Sequence, residues 1–430
     1  MTENRLTKLS LAIGLSIATT SALASPQTFM SSRSFAMGGT GVAIAHPAAA
    51  GASNPAMMAA EHHEWSDDFG LILPSVNARF ADEEETIDQI DDIQDTIDRF
   101  DDLSQQITAI EGGNPGQASQ LQNEARDIAN DLLDQLRGFD EDTIRVNAGL
   151  GLAIAVPSPS LSVGFFTNGN LTATVRGEFD NNDESTLQNI VDGTTDPEDV
   201  DLDRLESRGR VLASAVAEAG VSFARAFELE NGNSLMLGVS PKYMQLRTFQ
   251  YTESISDFED DESDDDNYET DKSGFNLDIG AAYAFGERHQ WNAGISIKNL
   301  IPMELDSAAN GIDEEERTLE LNPMVTAGIA HKGDFHVVTA EMDLTKKEAF
   351  GYEDDTQWLA LGAEFDAFRY AQLRVGVRQN LATNDDNDGI EEDTQFTAGI
   401  GLSPFGARLD IGALVSDADV GAAIELGAAF

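Results

Sequence analysis

From residue 143 onward, apolar residues alternate with polar or small ones at a period of two. Turn residues interrupt the alternation about every ten to fifteen positions, which is the signature of half-buried strands. Val146, Ala148, Leu150, Leu152, Ile154 and Val156 share one side of such a strand, with Arg145, Asn147, Gly149 and Gly151 on the other. The pattern returns in Phe275, Leu277, Ile279, Ala281, Tyr283 and Phe285, opposite Asn276, Asp278 and Gly280. It closes the chain with Val420, Ala422, Ile424, Leu426, Ala428 and Phe430. Starting from a first strand near residues 69–80, the alternation predicts about fourteen strands, too many for a small sandwich and an even number as membrane barrels use.

The connections alternate in length. Short ones are expected at 157–159, 230–233, 286–289, 332–334, 368–371 and 403–404. Long ones are expected at 81–142, 178–209, 254–272, 302–318, 346–356 and 382–393, with a brief one at 416–419. Short periplasmic turns opposite long extracellular loops are the asymmetry of outer-membrane barrels, whose apolar strand faces meet lipid and whose polar faces line the lumen. The fold class predicted is therefore all-β, an antiparallel outer-membrane β-barrel of about fourteen strands, with outer-membrane lipid around it and both termini periplasmic. Its domains are a signal peptide over 1–24, a hatch or plug over 25–66 and the barrel over 67–430.

Two stretches depart from period two. Ile87, Ile90, Ile93, Ile97, Phe100, Leu103, Ile107 and Ile110 recur at helical spacing. Ala118, Leu121, Ala125, Ile128, Leu132 and Leu136 do so again after a Gly/Pro turn at 112–116. This predicts a helical hairpin insert over 82–137, on the extracellular side, whose apolar stripes satisfy each other. Residues 33–58 are rich in Gly and Ala, with Arg33 as their one ionised side chain and Pro47 and Pro55 as helix breakers. So small a peptide suits a confined space, where glycines let the backbone approach the walls.

Composition narrows the class. Arg5 and Lys8, an apolar run over 9–19 and Ala22-Leu23-Ala24 form an export signal. The chain has no cysteine, so disulfide and thiol chemistry are excluded. No later segment is apolar and long enough for an ordinary transmembrane helix. A formal charge of -51, from 77 acidic and 26 basic residues, excludes nucleic acid as a partner. The acidic run 253–271 and the N-D-D-N-D-G of 384–389 attract a calcium reading. Asn384 and Gln395 stand where an EF-hand loop needs its first ligand and its bidentate Glu, so only loosely held divalent cations are expected there. The adjacent His62 and His63 point apart in an extended chain, and His331 and His336 flank an expected turn as interfacial polar residues. With no G-x-S-x-G elbow, zinc signature or phosphate loop, neither enzyme activity nor a cofactor or metal is expected.

If the apolar positions face lipid, Glu341, Asp343, Glu364, Arg374 and Arg378 point into the lumen, as do Arg79, Arg145, Lys242, Asp278 and Lys298. These charges either line an aqueous path or hold the plug by charge-assisted hydrogen bonds.

The run S-R-S-F-A-M-G-G-T-G-V-A over 32–43 contains Arg33, Met37, Gly38, Gly39 and Gly41, and Asn54-Pro55-Ala56 follows. Together they resemble the amino-terminal signature of the FadL-like superfamily of outer-membrane barrels. Within it the wording and the helical insert are most similar to the conjugal-transfer TraF-like family. The resemblance implies a hatch inside a fourteen-stranded lumen, with Asn54-Pro55-Ala56 as an anchor against inward-facing polar groups. Phe430 resembles the carboxy-terminal signal read by the barrel assembly machinery. Departures are Met57, where such transporters usually have Gly, and His46-Pro47, where acidic residues are common. Two functions follow as expectations: a surface or structural component that binds conjugation-apparatus proteins, or a hatch-gated channel for small hydrophobic molecules. A lumen filled by charges favours the first, and a continuous apolar cavity favours the second.

Overall fold

The computed structural model describes residues 31–60, 70–82, 86–110, 115–158, 160–255, 267–311, 314–367, 370–384 and 389–429. The expected signal peptide, the outer parts of the 25–66 hatch segment, His62-His63, most of the acidic run 253–271 and Phe430 lie outside these.

The strands in chain order are β1 Gly70–Asp82, β2 Thr143–Val156, β3 Ser162–Glu178, β4 Arg208–Glu228, β5 Ser234–Ser254, β6 Glu269–Phe285 and β7 Trp291–Lys298. A small hairpin, β8 Met303–Asp306 and β9 Thr318–Leu321, precedes β10 Met324–Lys332, β11 His336–Asp343 and β12 Trp358–Ala367. The last four are β13 Ala371–Asn380, β14 Gln395–Leu402, β15 Ala407–Val415 and β16 Asp419–Ala429. Apart from β8 and β9, which pair only with each other, they close into one antiparallel barrel of fourteen strands, β1 pairing with β16.

The alternation sets which side faces out. Leu150, Leu152, Ile154 and Val156 are 37–52% exposed, while Ala153 and Ala155 between them are buried. The same split runs round the wall, through Phe165, Leu361, Val375, Ile400 and Ile424 on the outside. Water does not tolerate so continuous an apolar belt, so its solvent is lipid. At the short-turn end Tyr283, Phe285, Trp291, His331 and His336 make a row of stacked and edge-on rings, as an interfacial girdle does. The wall has one marked irregularity. The register of β1 slips between Ile72 and Ser75 against both neighbours, because Pro74 has no N–H for the ladder and Leu73 and Pro74 both turn outward.

Among the described residues, five α-helices accompany the strands. In the lumen are α1 Ser32–Phe35 and α2 Pro47–Ser53; at the long-loop end are α3 Thr86–Ile110, α4 Pro115–Phe139 and α5 Asn181–Val191. The backbone N–H of Thr86 donates to Asp82 Oδ1 at 2.7 Å, so the end of β1 caps the start of α3. Ile93, Phe100 and Ile107 of α3 share one core with Leu132 and Leu136 of α4. The stripes do not satisfy each other alone: Leu187 and Ile190 of α5, Leu202, Leu205 and Ile255 complete the core. The 178–209 connection was expected as plain loop. It holds α5, a helix of 11 residues whose two buried apolar anchors are too few to set a period. The 302–318 connection likewise folds into β8 and β9, whose Met303, Leu305, Leu319 and Leu321 cover Leu212, Val216, Met244 and Leu246 with Phe350 and Tyr352.

Candidate functional site: the hatch in its socket

Of residues 31–60, all but Gly39, His46 and Ser53 are buried inside the barrel. The hatch supplies mainly backbone to its own fixation. Ser31 caps α1 by accepting from Ser34 N–H at 3.2 Å, and the chain then reverses at Gly38 (φ 75°) and Gly39 (φ 86°), left-handed positions that glycine occupies without strain. After that reversal, the backbone N–H groups of Gly41, Val42 and Ala43 point together at the Glu341 carboxylate, at 2.8–3.1 Å. Three amides converging on one anion form a nest, here occupied by a side chain of β11.

Arg33 is the hatch's charged contribution. Its Nε and Nη2 form a two-pronged pair with Glu364 at 2.9 and 2.8 Å, and its Nη1 donates to the Ile44 carbonyl at 2.8 Å. Glu364 also accepts from Arg374 Nε at 2.7 Å, and Arg374 Nη1 reaches Asp410 at 2.5 Å. Asp410 in turn pairs with Arg408. The hatch is thus tied to a chain of alternating charges across β12, β13 and β15.

The remaining fixings are hydrogen bonds outside ion pairs. Lys298 Nζ donates to Ala52 O at 2.6 Å, Ser240 to Gly51 O at 3.0 Å and Ser296 to Ser53 O at 2.8 Å. Thr397 Oγ1 accepts from Gly38 N–H at 2.9 Å, and Glu425 from Ser32 N–H at 3.0 Å. Asn54 Oδ1 accepts from Ala56 N–H at 3.1 Å, opening the 3₁₀ turn Pro55–Ala59. Its Nδ2 donates to Val42 O at 2.8 Å and Ala281 O at 3.3 Å. Asn54-Pro55-Ala56 thus meets the wall through the Ala281 backbone carbonyl. Gly280 makes this approach possible, since a Cβ there would overlap the Asn54 side chain; at Gly376 one would overlap the hatch backbone at Met37 and Gly38.

Two further ion networks fill the lumen. Towards the long loops, Arg145 reaches Glu392 at 2.6 Å and Asp419 at 2.8 Å, and Arg79 pairs with the same two carboxylates. Burial alone would raise the Glu392 carboxyl, but the Arg145 and Arg79 charges outweigh it and hold it down at about 2. Beside the hatch, Lys242 lies 2.6 Å from Glu218 and 2.9 Å from Asp278. Above these the mouth is crossed by the segment carrying Phe350 and Tyr352. Tyr352 N–H donates to Thr174 Oγ1 at 3.1 Å, and Arg176 and Arg317 lie over its ring.

Of the ten lumen charges read from sequence, Glu341, Glu364 and Lys298 bind the hatch directly and Arg374 does so through Glu364. Asp343 and Arg378 touch none of it; they line a cavity of about 100 Å³ on its long-loop face. A second cavity, of about 140 Å³, lies on the short-turn face and is lined by Arg33, Glu364, Arg374, Arg408 and Glu425 among others. Sequence reasoning missed Glu218 and Asp410, although both sit at inward parity on their strands. It also missed Glu392, which lies on an irregular loop with no parity to read.

A family model described as "F plasmid transfer operon, TraF, protein" matches residues 51–343. The chain belongs to this family. Its matched part runs from within the hatch through β11 and so takes in the helical cap. No curated relative matches the sequence. Among solved structures, the Pseudomonas putida toluene transporter TodX has a TM-score of 0.50 at 11% identity, covering 95% of this chain and 100% of its own. A deltaS2S3 mutant of TodX, described as a monoaromatic hydrocarbon channel, has a TM-score of 0.52 at 11% identity, covering 93% and 99%. A Pseudomonas aeruginosa FadL homologue covers 95% of this chain and 99% of its own at 10% identity, with a TM-score of 0.48. The TodX likenesses establish a common barrel fold.

Proposed function

We propose that this TraF family member is an outer-membrane barrel with a fixed plug, a structural surface component of a conjugal-transfer apparatus that acts through its long loops and helical cap. The observation that carries this reading is the way the hatch is held. Buried side chains from strands around the wall bond its backbone, and ion pairs and loops occupy the lumen above it. In this reading both termini face the periplasm and the cap stands at the cell surface. The partners are proteins of the transfer apparatus, and the acidic loops hold divalent cations only loosely.

The test has two arms. Purified protein in planar bilayers is expected to give no single-channel steps; conductance by the wild-type barrel would overturn the fixed plug. Deletion of residues 85–137 is expected to leave a heat-modifiable barrel and to lower mating efficiency in a native strain. Unchanged mating would remove the surface-component role.

A second reading is a hatch-gated channel for small hydrophobic molecules, the class to which the TodX description points. It is favoured by the two cavities on opposite faces of the hatch and by the wall irregularity at Leu73 and Pro74. Uptake of toluene into proteoliposomes by the wild-type protein would favour it over the first.

A further inference from the structure

The barrel wall is not of even height. β5 and β6 run for 21 and 17 residues, while β7 beside them stops after 8. The ladder between β6 and β7 therefore spans only 279–285 against 291–297. The chain leaves it at Asn299, whose φ of 54° turns the backbone aside, with a last bond from Leu300 N–H to Leu277 O at 3.0 Å. Asn276 then closes the ladder with its side chain: Nδ2 donates to Ile301 O at 2.8 Å, and Oδ1 accepts from Ile301 N–H at 3.1 Å. Beyond this point β8 passes beneath β5 and β6, where Met303 and Leu305 share a core with Met244 and Leu246. Thr270 Oγ1 and Lys272 Nζ hold it there by donating to Asp306 O and Glu304 O, both at 2.6 Å.

This arrangement leaves β6 with an open edge. Tyr268 O accepts from Gln250 N–H of β5, and Leu277 O from Leu300 N–H, so the odd-numbered residues of β6 turn their backbone polar groups away from β5. Among the described residues no strand pairs with Glu269, Asp271, Ser273 and Phe275 on that side, and all four are exposed. Phe275 lies eight residues up β6 from Tyr283 of the girdle, about 20 Å of height in a tilted strand. With Tyr243 edge-on to it at 5.6 Å, it marks the far side of the apolar band, so residues 269–274 stand in water. An edge of this kind is a template for another strand. Carboxylates dominate beside it: residues 253–271 hold eleven and no basic side chain, and Glu304 and Asp306 lie next to them. Of the neighbouring cations, Lys272 is engaged by Glu304 O and Arg247 lies 3.5 Å from Glu269.

We propose that this edge of β6 takes up an extended, basic segment of a partner protein as an added antiparallel strand. Main-chain bonds to Glu269, Asp271, Ser273 and Phe275 would supply affinity, and the outward side chains selectivity. Opposite Phe275, which is 78% exposed, the partner presents an apolar residue; four and six positions later it presents Lys or Arg, opposite Asp271 and Glu269. This chemistry holds whether or not the partner belongs to a transfer apparatus.

The test uses the full chain in detergent and a fluorescently labelled peptide, VTVTKTK, with VTVTETE as its acidic control. Saturable binding of the basic peptide is expected, weakening with salt and slowing amide exchange at Asp271, Ser273 and Phe275. Ser273→Pro removes an edge N–H and leaves the β5 ladder its donors. It is expected to weaken binding about tenfold or more, and Ser273→Ala to leave it unchanged. If Ser273→Pro does not fold, Asp271→Lys takes its place and is expected to shift the preference from the basic peptide towards the acidic one. No saturable binding, equal binding of both peptides, affinity unchanged in Ser273→Pro or preference unchanged in Asp271→Lys would each overturn the docking edge.

Discussion

The hatch and the helical cap are two described parts of the chain that lie outside the barrel wall, and they are held by opposite means. The hatch contributes backbone and small side chains, and almost every group that fixes it belongs to the wall: Glu341, Glu364, Lys298, Ser240 and Thr397 all reach inward to its amides, carbonyls or single arginine. The cap contributes large side chains and is fixed mainly by itself, through the Phe100, Ile107, Leu132 and Leu136 core. A segment held by its surroundings has no fold to lose apart from them, whereas a segment with its own core can unfold while the barrel stands. The hatch should therefore report on the whole barrel and the cap only on itself.

The largest expected effect breaks the hatch side. Glu364→Ala removes the partner of both Arg33 and Arg374, leaving two buried guanidinium groups without it, and is expected to cost about 3–5 kcal/mol. The loss should appear as a lower midpoint of heat-modifiable mobility and of denaturant unfolding for the whole barrel. If the midpoint is unchanged, the charge chain does not hold the plug. On the cap side, Leu132→Ala deletes a fully buried side chain and is expected to cost about 3 kcal/mol. Here the barrel midpoint should stay put while limited proteolysis between residues 86 and 139 accelerates. A matching fall in the barrel midpoint would erase the distinction between the two regions.

How much of this could be read beforehand differs between the regions for a physical reason. The wall was legible because period two separates a lipid face from a lumen face, and that parity alone marked Glu341, Glu364, Arg374 and Arg378 as interior. The hatch was legible because a nearly uncharged Gly/Ala stretch has few other places to go. Which charge meets which was not legible. The Glu364 to Arg374 contact follows from adjacent strands in register, but Arg33 reaches Glu364 only because of how the hatch is threaded. The wall glycines carry no chemical signal, so the seat of Asn54 beside Gly280 could not be read either. In the cap, the long helices declared themselves by period, and α5 did not because two anchors make no period.

Acid sharpens the comparison next. Glu392 titrates at about 2 in the folded protein against an ordinary 4.5, a depressed carboxyl. Its contribution is therefore present above about pH 4.5 and is lost as the pH falls from there towards 2, amounting to about 3 kcal/mol in all. Denaturant midpoints of the wild-type barrel should fall through that window, and those of Glu392→Gln should fall less. The cap, held by apolar packing, provides the reference within the same molecule: its protease resistance at pH 4 should change less than the barrel midpoint does.

The smallest effect tests the rule that burial, not distance, sets the worth of an ion pair. Arg137 on α4 lies 2.6 Å from Glu184 on α5, closer than the 2.8 Å between Arg33 and Glu364. The cap pair is exposed, its side chains 45% and 41% accessible against 10% and 6% in the lumen. Water already solvates both cap charges, so removing one strands nothing, and salt screens what attraction remains. Glu184→Ala is therefore expected to cost between about 0 and 1 kcal/mol in cap stability, and its effect should vanish in high salt. Glu364→Ala should remain costly at any salt concentration, because the penalty there is an uncompensated charge in a closed lumen. Proteolysis rates of the cap and unfolding midpoints of the barrel, each measured at low and high salt, give the four numbers. If Glu184→Ala proved as damaging as Glu364→Ala, the cap would have to be held by its charges as the hatch is, and the contrast between borrowed and intrinsic support would not stand.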